Sequence, residues 1–214
     1  MKNLLITAVF FSAFAISCND ANKTDVTVAT TDTASTSKPA DQPDVQMDSA
    51  TMMKNWQAFM TPGEPHKMLA KSNGTWNGDI TMWMSADAPP QKMTGTAENK
   101  MILNGLYQQG THKGMYNGMP FEGISTTAYD NIKKMFISSW VDNMGSGIMH
   151  MEGPWDEATK TITMKGSCSD PMSGKTIEVK EIMKFIDDKN QMMEMYEVKN
   201  GKERKTMEIK FTKK

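Results

Sequence analysis

From Gly74 to its end, the chain alternates polar and apolar residues in short runs separated by turn signals. Alternation with a period of two is typical of strands that bury only one face. Among the turn signals are Asn104-Gly105, Asn117-Gly118 and Asn200-Gly201, and Asn-Gly favours the two-residue turn of a β-hairpin. The pattern predicts ten strands, near residues 75–84, 92–103, 105–113, 120–129, 134–142, 146–155, 160–168, 175–186, 191–199 and 203–212.

Successive short strands with no helix between them imply an antiparallel, up-and-down meander. Closing such a meander removes its exposed edges, so we expect an all-β fold, closed or nearly closed into a barrel of about ten strands. Eight strands can be filled by side chains alone, whereas about ten leave room for a ligand. An outer-membrane barrel would show a stronger apolar band with aromatic girdles, so the mixed pattern favours a soluble barrel.

Residues 1–17 have the pattern of a bacterial export signal. Lys2 supplies a positive start, and the apolar run Leu4–Ile16 is too short to span a bilayer. The run ends in Ala15-Ile16-Ser17-Cys18, which resembles a lipobox, where the chain is cut before a cysteine that then carries lipid. An ordinary signal peptide is the alternative. We expect lipid on Cys18 and anchoring in the bacterial cell envelope, on the periplasmic face or the outer surface of the outer membrane.

The remaining chain divides into three segments by composition. Residues 18–47 form a Thr- and Ser-rich tether that buries too little apolar surface to offset the entropy of ordering, so we expect disorder. Residues 48–73 are a helical lead-in, and residues 74–214 are the β-barrel domain.

The lead-in contains an apolar stripe with helical spacing. We expect Asp48 or Ser49 to cap this helix and Thr61-Pro62-Gly63 to end it. The helix should dock on the end or flank of the barrel, since the alternative of a membrane-surface helix calls for a polar face richer in Lys and Arg. The stripe consists of Met52, Met53, Trp56, Phe59 and Met60.

Charge and motifs exclude several functional classes. The net charge is −1 and the charges are well mixed, so no basic stripe indicates binding of nucleic acid. No Gly-x-Ser-x-Gly, His-Glu-x-x-His or Cys-x-x-Cys motif and no phosphate-binding glycine loop occurs. We therefore predict neither a catalytic residue nor a resident metal.

The histidines and cysteines offer weaker candidates. His150 and Glu152 point the same way from one strand, which is half of a metal site at most, and the alternative is a histidine at the surface. His66 is a candidate for a hydrogen bond that anchors a helix, with catalysis or haem ligation as the alternative. If Cys18 is acylated, Cys168 has no disulfide partner, and we expect it to be buried and inert.

Methionine is unusually abundant, at 23 residues. Thioethers fill irregular cores and adaptable binding surfaces, and they also suit Cu(I). Packing of a wide barrel interior is the simpler interpretation, so no cofactor is predicted, and haem or copper stays an open alternative. Three pairs place two thioethers on one strand face: Met82 with Met84, Met149 with Met151, and Met193 with Met195.

Several blocks resemble a bacterial family, domain of unknown function fifteen-seventy-nine. The resemblance covers roughly residues 50–214 and implies a lipocalin-like (calycin) barrel, but no agreed activity. The blocks are Pro65-His66-Lys67-Met68-Leu69, Gly74-Thr75-Trp76-Asn77-Gly78, Thr94-Gly95-Thr96-Ala97-Glu98, Gly118-Met119-Pro120-Phe121-Glu122-Gly123 and Trp140-Val141-Asp142-Asn143-Met144-Gly145-Ser146-Gly147.

Gly74-x-Trp76 is also similar to the opening motif of lipocalins, where the Trp closes one end of the barrel and an Arg packs across it. The only arginine in this chain is Arg204, in the last predicted strand. We expect His66, Leu69, Gly74 and Trp76 to close a barrel end.

These predictions support three functional hypotheses. The first is a lipid-anchored envelope protein that binds a small apolar or amphipathic molecule inside the barrel. The second is a structural or interaction module with a filled barrel, and the third is an enzyme or a haem or copper protein. The expected ligand-lining residues are Ile80, Met82, Met84, Met149 and Met151. The oligomeric state is not predicted.

Overall fold

The structure, a computed structural model, describes residues 47–214. Two helices precede the sheet, α1 (Ser49–Met60) and α2 (Glu64–Lys71). The strands are β1 (Gly74–Met82), β2 (Gln91–Ile102), β3 (Tyr107–Tyr116), β4 (Met119–Asp130), β5 (Met135–Asp142), β6 (Met149–Gly153), β7 (Trp155–Asp156), β8 (Thr161–Asp170), β9 (Lys175–Phe185), β10 (Asn190–Lys199) and β11 (Lys202–Lys213).

The strands form a closed antiparallel barrel of ten strands, with β7 as a short extra strand beside β8. β1 pairs with β11, and β6 pairs with β8 to complete the ring. The predicted all-β barrel is confirmed, and each of the ten predicted strands has its counterpart. The predicted strand at 146–155 is divided, because Pro154 lacks the N–H that a strand interior needs.

The seam between β6 and β8 depends on two glycines. A Cβ on Gly153 would collide with the backbone oxygen of Thr163, and one on Gly166 would collide with the backbone oxygen of His150. The two strands pair at only three positions, so the closure of the ring depends on this close approach. Only glycine lets two backbones meet at such a distance.

Two of the Asn-Gly pairs form the predicted two-residue turns. Both residues have positive φ, 49° at Asn117 and 79° at Gly118 for example, as the type I′ turn requires, and the twist of this turn matches that of the strands it joins. Asn104-Gly105 lies instead in a longer loop, since Ile102 pairs with Tyr107 and a single 3-10 turn fills the space between them.

The core lies inside the barrel, towards the end that α2 covers. Leu69 of α2 packs in a cluster of buried residues with Phe136 and Ile162, which are 0% and 2% exposed. The cluster is completed by Met151, Met164 and Val179. Methionine therefore fills much of this core, as the composition indicates.

Helix α1 has the predicted limits, with Asp48 accepting a hydrogen bond from the backbone N–H of Thr51 (2.9 Å) and Thr61 as the C-cap. The expected docking of its apolar stripe on the barrel is wrong, since none of its residues is buried. α2 takes the place at the barrel end. The end of α1 is held instead by Asn131, whose Nδ2 donates to the carbonyls of Phe59 and Thr61 (3.0 Å each).

The predicted signal peptide, Cys18 and all of the tether except Met47 lie outside the described residues. Within 47–214, neither helix has the length and apolar character to cross a bilayer.

Candidate ligand-binding cavity

A cavity of about 90 Å³ lies inside the barrel beneath α2. One wall, from β2 to β4, is polar, and the opposite wall, from β8 and β9, is mainly apolar. The polar wall comprises Asn99, Gln108, His112, Ser125 and Thr127, and the apolar wall comprises Ile162, Met164, Met183 and Phe185. Leu69, Ser72, Trp76, Ala97, Glu181, Gln191 and Phe211 complete the lining.

Three side chains of the barrel hold the C-terminal end of α2 in place. The Nε2 of Gln108 donates to the carbonyl of Leu69 (2.5 Å), and the Nε2 of Gln191 donates to Ser72 Oγ (2.7 Å). Trp76 Nε1 donates to the carbonyl of Ser72 (2.8 Å). The carbonyl of Leu69 also accepts from the backbone N–H of Ser72 (2.9 Å), and the three side-chain bonds add to this cap and join the end of α2 to the barrel.

The four residues expected to close a barrel end all lie there. Trp76 and Leu69 are 1% and 3% exposed, and Gly74 begins β1 with a φ of 113°. His66 Nδ1 accepts a hydrogen bond from the backbone N–H of Gly63 (3.0 Å) at the start of α2. Burial lowers the pKa of His66, which keeps the ring neutral for this bond.

A lysine, not an arginine, packs on Trp76. Lys213 Nζ lies 5.3 Å from the centre of the Trp76 ring and donates to the carbonyl of Lys71 (3.0 Å). Arg204 instead binds Glu197 (2.6 Å) and donates to the carbonyl of Trp83 (3.0 Å). The carbonyl of Trp83 follows the end of β1, far along the strand from Trp76. Arg204 therefore does not pack across Trp76 as the arginine of the lipocalin motif does.

Glu181 carries the carboxyl group on the otherwise apolar wall. Its cross-strand neighbours are Met164 on β8 and Met195 on β10. Burial raises the pKa of Glu181 to about 7, because a charged carboxylate loses its hydration in these surroundings. What remains of its exposed surface faces the cavity.

His112 faces Glu181's wall from the polar side of the cavity. Its Nε2 lies 3.2 Å from Ser125 Oγ, and its ring meets Trp140 edge to face, 4.9 Å between centres. Burial lowers the pKa of His112 to about 4, so the imidazole is neutral at pH 7. The cavity therefore contains two titratable side chains whose charged forms are both disfavoured.

The predicted ligand-lining methionines lie elsewhere in the barrel. Met149 and Met151 belong to the packed core around Phe136, and Met84 follows β1 and is 48% exposed. Ile80 and Met82 are half-buried on β1, outside the lining of this cavity. Met164 and Met183 are the methionines that line it.

The sequence contains a signal for the polar lining. Glu181 shares a strand face with Val179, Met183 and Phe185, and a charged residue inside such an apolar series is unusual. Gln108 and His112 share a face of β3 in the same way.

The weaker candidates are dispersed. His150 is exposed, and Glu152 forms an ion pair with Lys133 (2.8 Å). Cys168 is half-buried against the core, and burial raises the pKa of its thiol. Within 47–214, no three His, Cys, Asp or Glu side chains are grouped so as to hold a metal ion.

Comparison with known proteins gives a fold neighbour and a family. The crystal structure of Rv2717c from M. tuberculosis matches with a TM-score of 0.55 and 10% identity, covering 72% of this chain and 99% of that one. At this identity the likeness shows a shared barrel fold alone. No curated protein sequence matches the chain. The profile of the family described as "Protein of unknown function (DUF1579)" matches residues 61–213, almost the whole barrel with α2, and the chain belongs to this family.

Proposed function

We propose that this protein is a lipid-anchored cell-envelope protein that binds a small amphipathic molecule inside its barrel. The observation that carries the proposal is the cavity inside the barrel, with polar side chains on one wall and apolar side chains on the other. A ligand with one polar and one apolar end would contact both walls. Such a division is the usual design of a site for a small molecule.

The size of the cavity limits the ligand. A volume of about 90 Å³ has room for several water molecules or for a ligand of a few non-hydrogen atoms. Typical pockets for drug-sized ligands measure about 300–1,000 Å³. This small volume favours the second candidate function, a structural module with a filled barrel, and an experiment must decide between them.

Cavity-filling substitutions separate the two candidates. The full chain, purified from its own host and transferred gently to native mass spectrometry, should carry an added small mass. Ala97→Leu places a larger side chain in the cavity and should remove that mass, while Thr96→Leu on the exposed face of the same strand should not. Ser125→Leu repeats the test from the polar wall, and circular dichroism verifies folding. A purified chain without any added mass, and with no uptake of small amphiphiles, would leave the filled module as the function.

Attachment to a membrane draws support from α1 as well as from Cys18. The stripe of α1 is exposed, with Met53 at 67% and Trp56 at 60%, and Ile132 in the adjoining β4–β5 turn is 75% exposed. Exposed apolar side chains grouped in this way mark a surface that meets a partner or a membrane. A lipid on Cys18 would hold α1 within reach of the bilayer, since only residues 19–48 lie between them.

Two variants test the attachment. Cys18→Ser should abolish incorporation of labelled fatty acid, and continued labelling would refute the anchor. In the Cys18→Ser background, Trp56→Glu should lower co-sedimentation with vesicles of neutral phospholipid several-fold. Gln57→Glu makes a similar change of charge beside the stripe and should have little effect. Equal sedimentation of the two variants would exclude α1 from the contact.

A further inference from the structure

Glu181 is a half-buried acid whose carboxyl group opens on the cavity and has no partner among the described residues. Among residues 47–214 its carboxyl group accepts no hydrogen bond and forms no ion pair, although acids on β10 and β11 do so: Glu194 pairs with Lys205, and Glu203 with Lys180. No lysine or arginine lines the cavity, and His112 is the other titratable group there.

A carboxyl group without a partner in such a place is unfavourable for the fold when it is ionised. It loses much of its hydration and gains no hydrogen bond or opposite charge in return. A methionine or leucine at this place would continue the apolar wall formed by Val179 and Met183 at no such cost. Perturbed acids of this kind occur preferentially in functional sites.

The three amide side chains of the cavity present hydrogen-bond acceptors to it. The amide nitrogens of Asn99, Gln108 and Gln191 all donate to the end of α2 or the link that follows it. Within the described part of the chain, their amide oxygens accept no side-chain or backbone N–H. Each of these oxygens keeps some accessible surface, since no fully buried side-chain oxygen in the described residues lacks a hydrogen-bond partner. A ligand with several N–H donors would therefore satisfy these oxygens together with the carboxyl group of Glu181.

Aromatic rings add a second preference for positive charge. Trp76, Phe185 and Phe211 line the same cavity, and ring faces attract cations. His112 adds no competing positive charge near pH 7, because burial keeps its pKa near 4.

We propose that the cavity binds a small organic cation, a primary ammonium group on a short apolar chain, with the carboxylate of Glu181 as its counter-ion. The proposal rests on the function proposed above and specifies its ligand. The ammonium group supplies the donors that Glu181 and the amide oxygens lack, and the apolar chain contacts Met164, Met183 and Phe185. Binding ionises Glu181, so a protonated carboxyl group loses its proton to the solvent as the cation enters.

Three ligands of equal shape test the proposal: n-butylammonium, n-butanol and n-butyrate. Calorimetric titration of the full chain at about pH 6 should show saturable binding of butylammonium and weaker binding of butanol and butyrate. Repeating it in buffers of different ionisation enthalpy should reveal release of about one proton per ligand, since Glu181 is mostly protonated at this pH. Glu181→Gln should weaken the binding of butylammonium roughly 10-fold or more and abolish proton release.

Glu178→Gln, on the exposed face of the same strand, is the matched control and should bind as the parent chain does. Equal affinity for butylammonium and butanol, unaffected by Glu181→Gln, would overturn the proposal that the ligand is a cation, and the cavity would remain a ligand site. Preferential binding of butyrate would overturn it in the same way. Binding of none of the three by a chain that also carries no native ligand would overturn the cavity function itself.

Discussion

Lys213 Nζ lies 5.3 Å from the centre of the Trp76 ring and donates a hydrogen bond of 3.0 Å to the carbonyl of Lys71. The last residues of β11 are thereby joined to the first residues of β1 and to the end of α2. One side chain links three parts of the barrel end, in the place that the lipocalin motif gives to an arginine.

The first prediction concerns this lysine. Lys213→Met keeps the aliphatic stem and removes the charge, so we expect a loss of about 1 kcal/mol in the free energy of unfolding. Lys213→Arg should retain most of it. Urea denaturation followed by circular dichroism measures the change, with Lys210→Met, on the outer face of β11 near Glu208, as the control. A loss in the control as large as in Lys213→Met would assign the effect to general surface charge.

The second prediction concerns the seal between β3 and α2. Gln108→Met removes one of two donors to the carbonyl of Leu69, which keeps the backbone N–H of Ser72 (2.9 Å), so we expect a loss of about 1 kcal/mol in the free energy of unfolding. Gln109→Met, at the next position of β3 and facing outwards, should change stability by less than about 0.5 kcal/mol. Hydrogen exchange of α2 provides a local readout, because α2 should lose protection before the barrel does. Unchanged protection of α2 would show that Gln108 does not hold it.

The third prediction concerns the seam that closes the barrel. Gly166→Ala places a methyl group against the backbone oxygen of His150, which cannot move without breaking the pairing of β6 with β8. We expect a loss of about 3 kcal/mol or more, or failure to fold. Gly145→Ala is the control, since its Cβ would enter open space. A Gly166→Ala chain as stable as the control would mean that the seam opens at little cost.

The strands and the closed barrel end could be predicted from the sequence because they depend on local patterns of residues. Alternation located all ten strands, and Asn117-Gly118 and Asn200-Gly201 located two-residue turns through the positive φ values that such residues adopt readily. The Trp76 motif likewise located the closed end.

The lining of the cavity could not be predicted in the same way, because it depends on the register of strands that are distant in sequence. Glu181 and His112 meet the same space only after the sheet has closed and α2 has covered one end. The prediction that Met149 and Met151 line a ligand site was wrong for the same reason. Both side chains face inwards, but they pack in the core around Phe136. The exposure of α1 could not be predicted from its own sequence either, since it follows from α2 covering the barrel end where α1 was expected to dock.

The last prediction follows from the two titratable groups in the cavity, which act in opposite directions. The raised pKa of Glu181 means that the fold favours its protonated form, so its contribution to stability is complete below pH 4.5 and is lost as the pH rises through about 7. The lowered pKa of His112 means that its contribution is complete above pH 6.5 and is lost as the pH falls towards 4. The ligand-free protein should therefore be most stable at intermediate pH.

Two variants separate these contributions. Glu181→Gln should remove the loss on the alkaline side, so that its stability relative to the parent chain rises between pH 5 and 8 by up to about 3 kcal/mol. His112→Asn should flatten the acid side between pH 6.5 and 4 in the same way. Urea denaturation at each pH, in the absence of any amine, measures both, and Glu178→Gln corrects for the general effect of one surface charge. If Glu181→Gln and Glu178→Gln follow the same pH profile, the carboxyl group of Glu181 is hydrated in the folded protein and the basis of the cation site is removed.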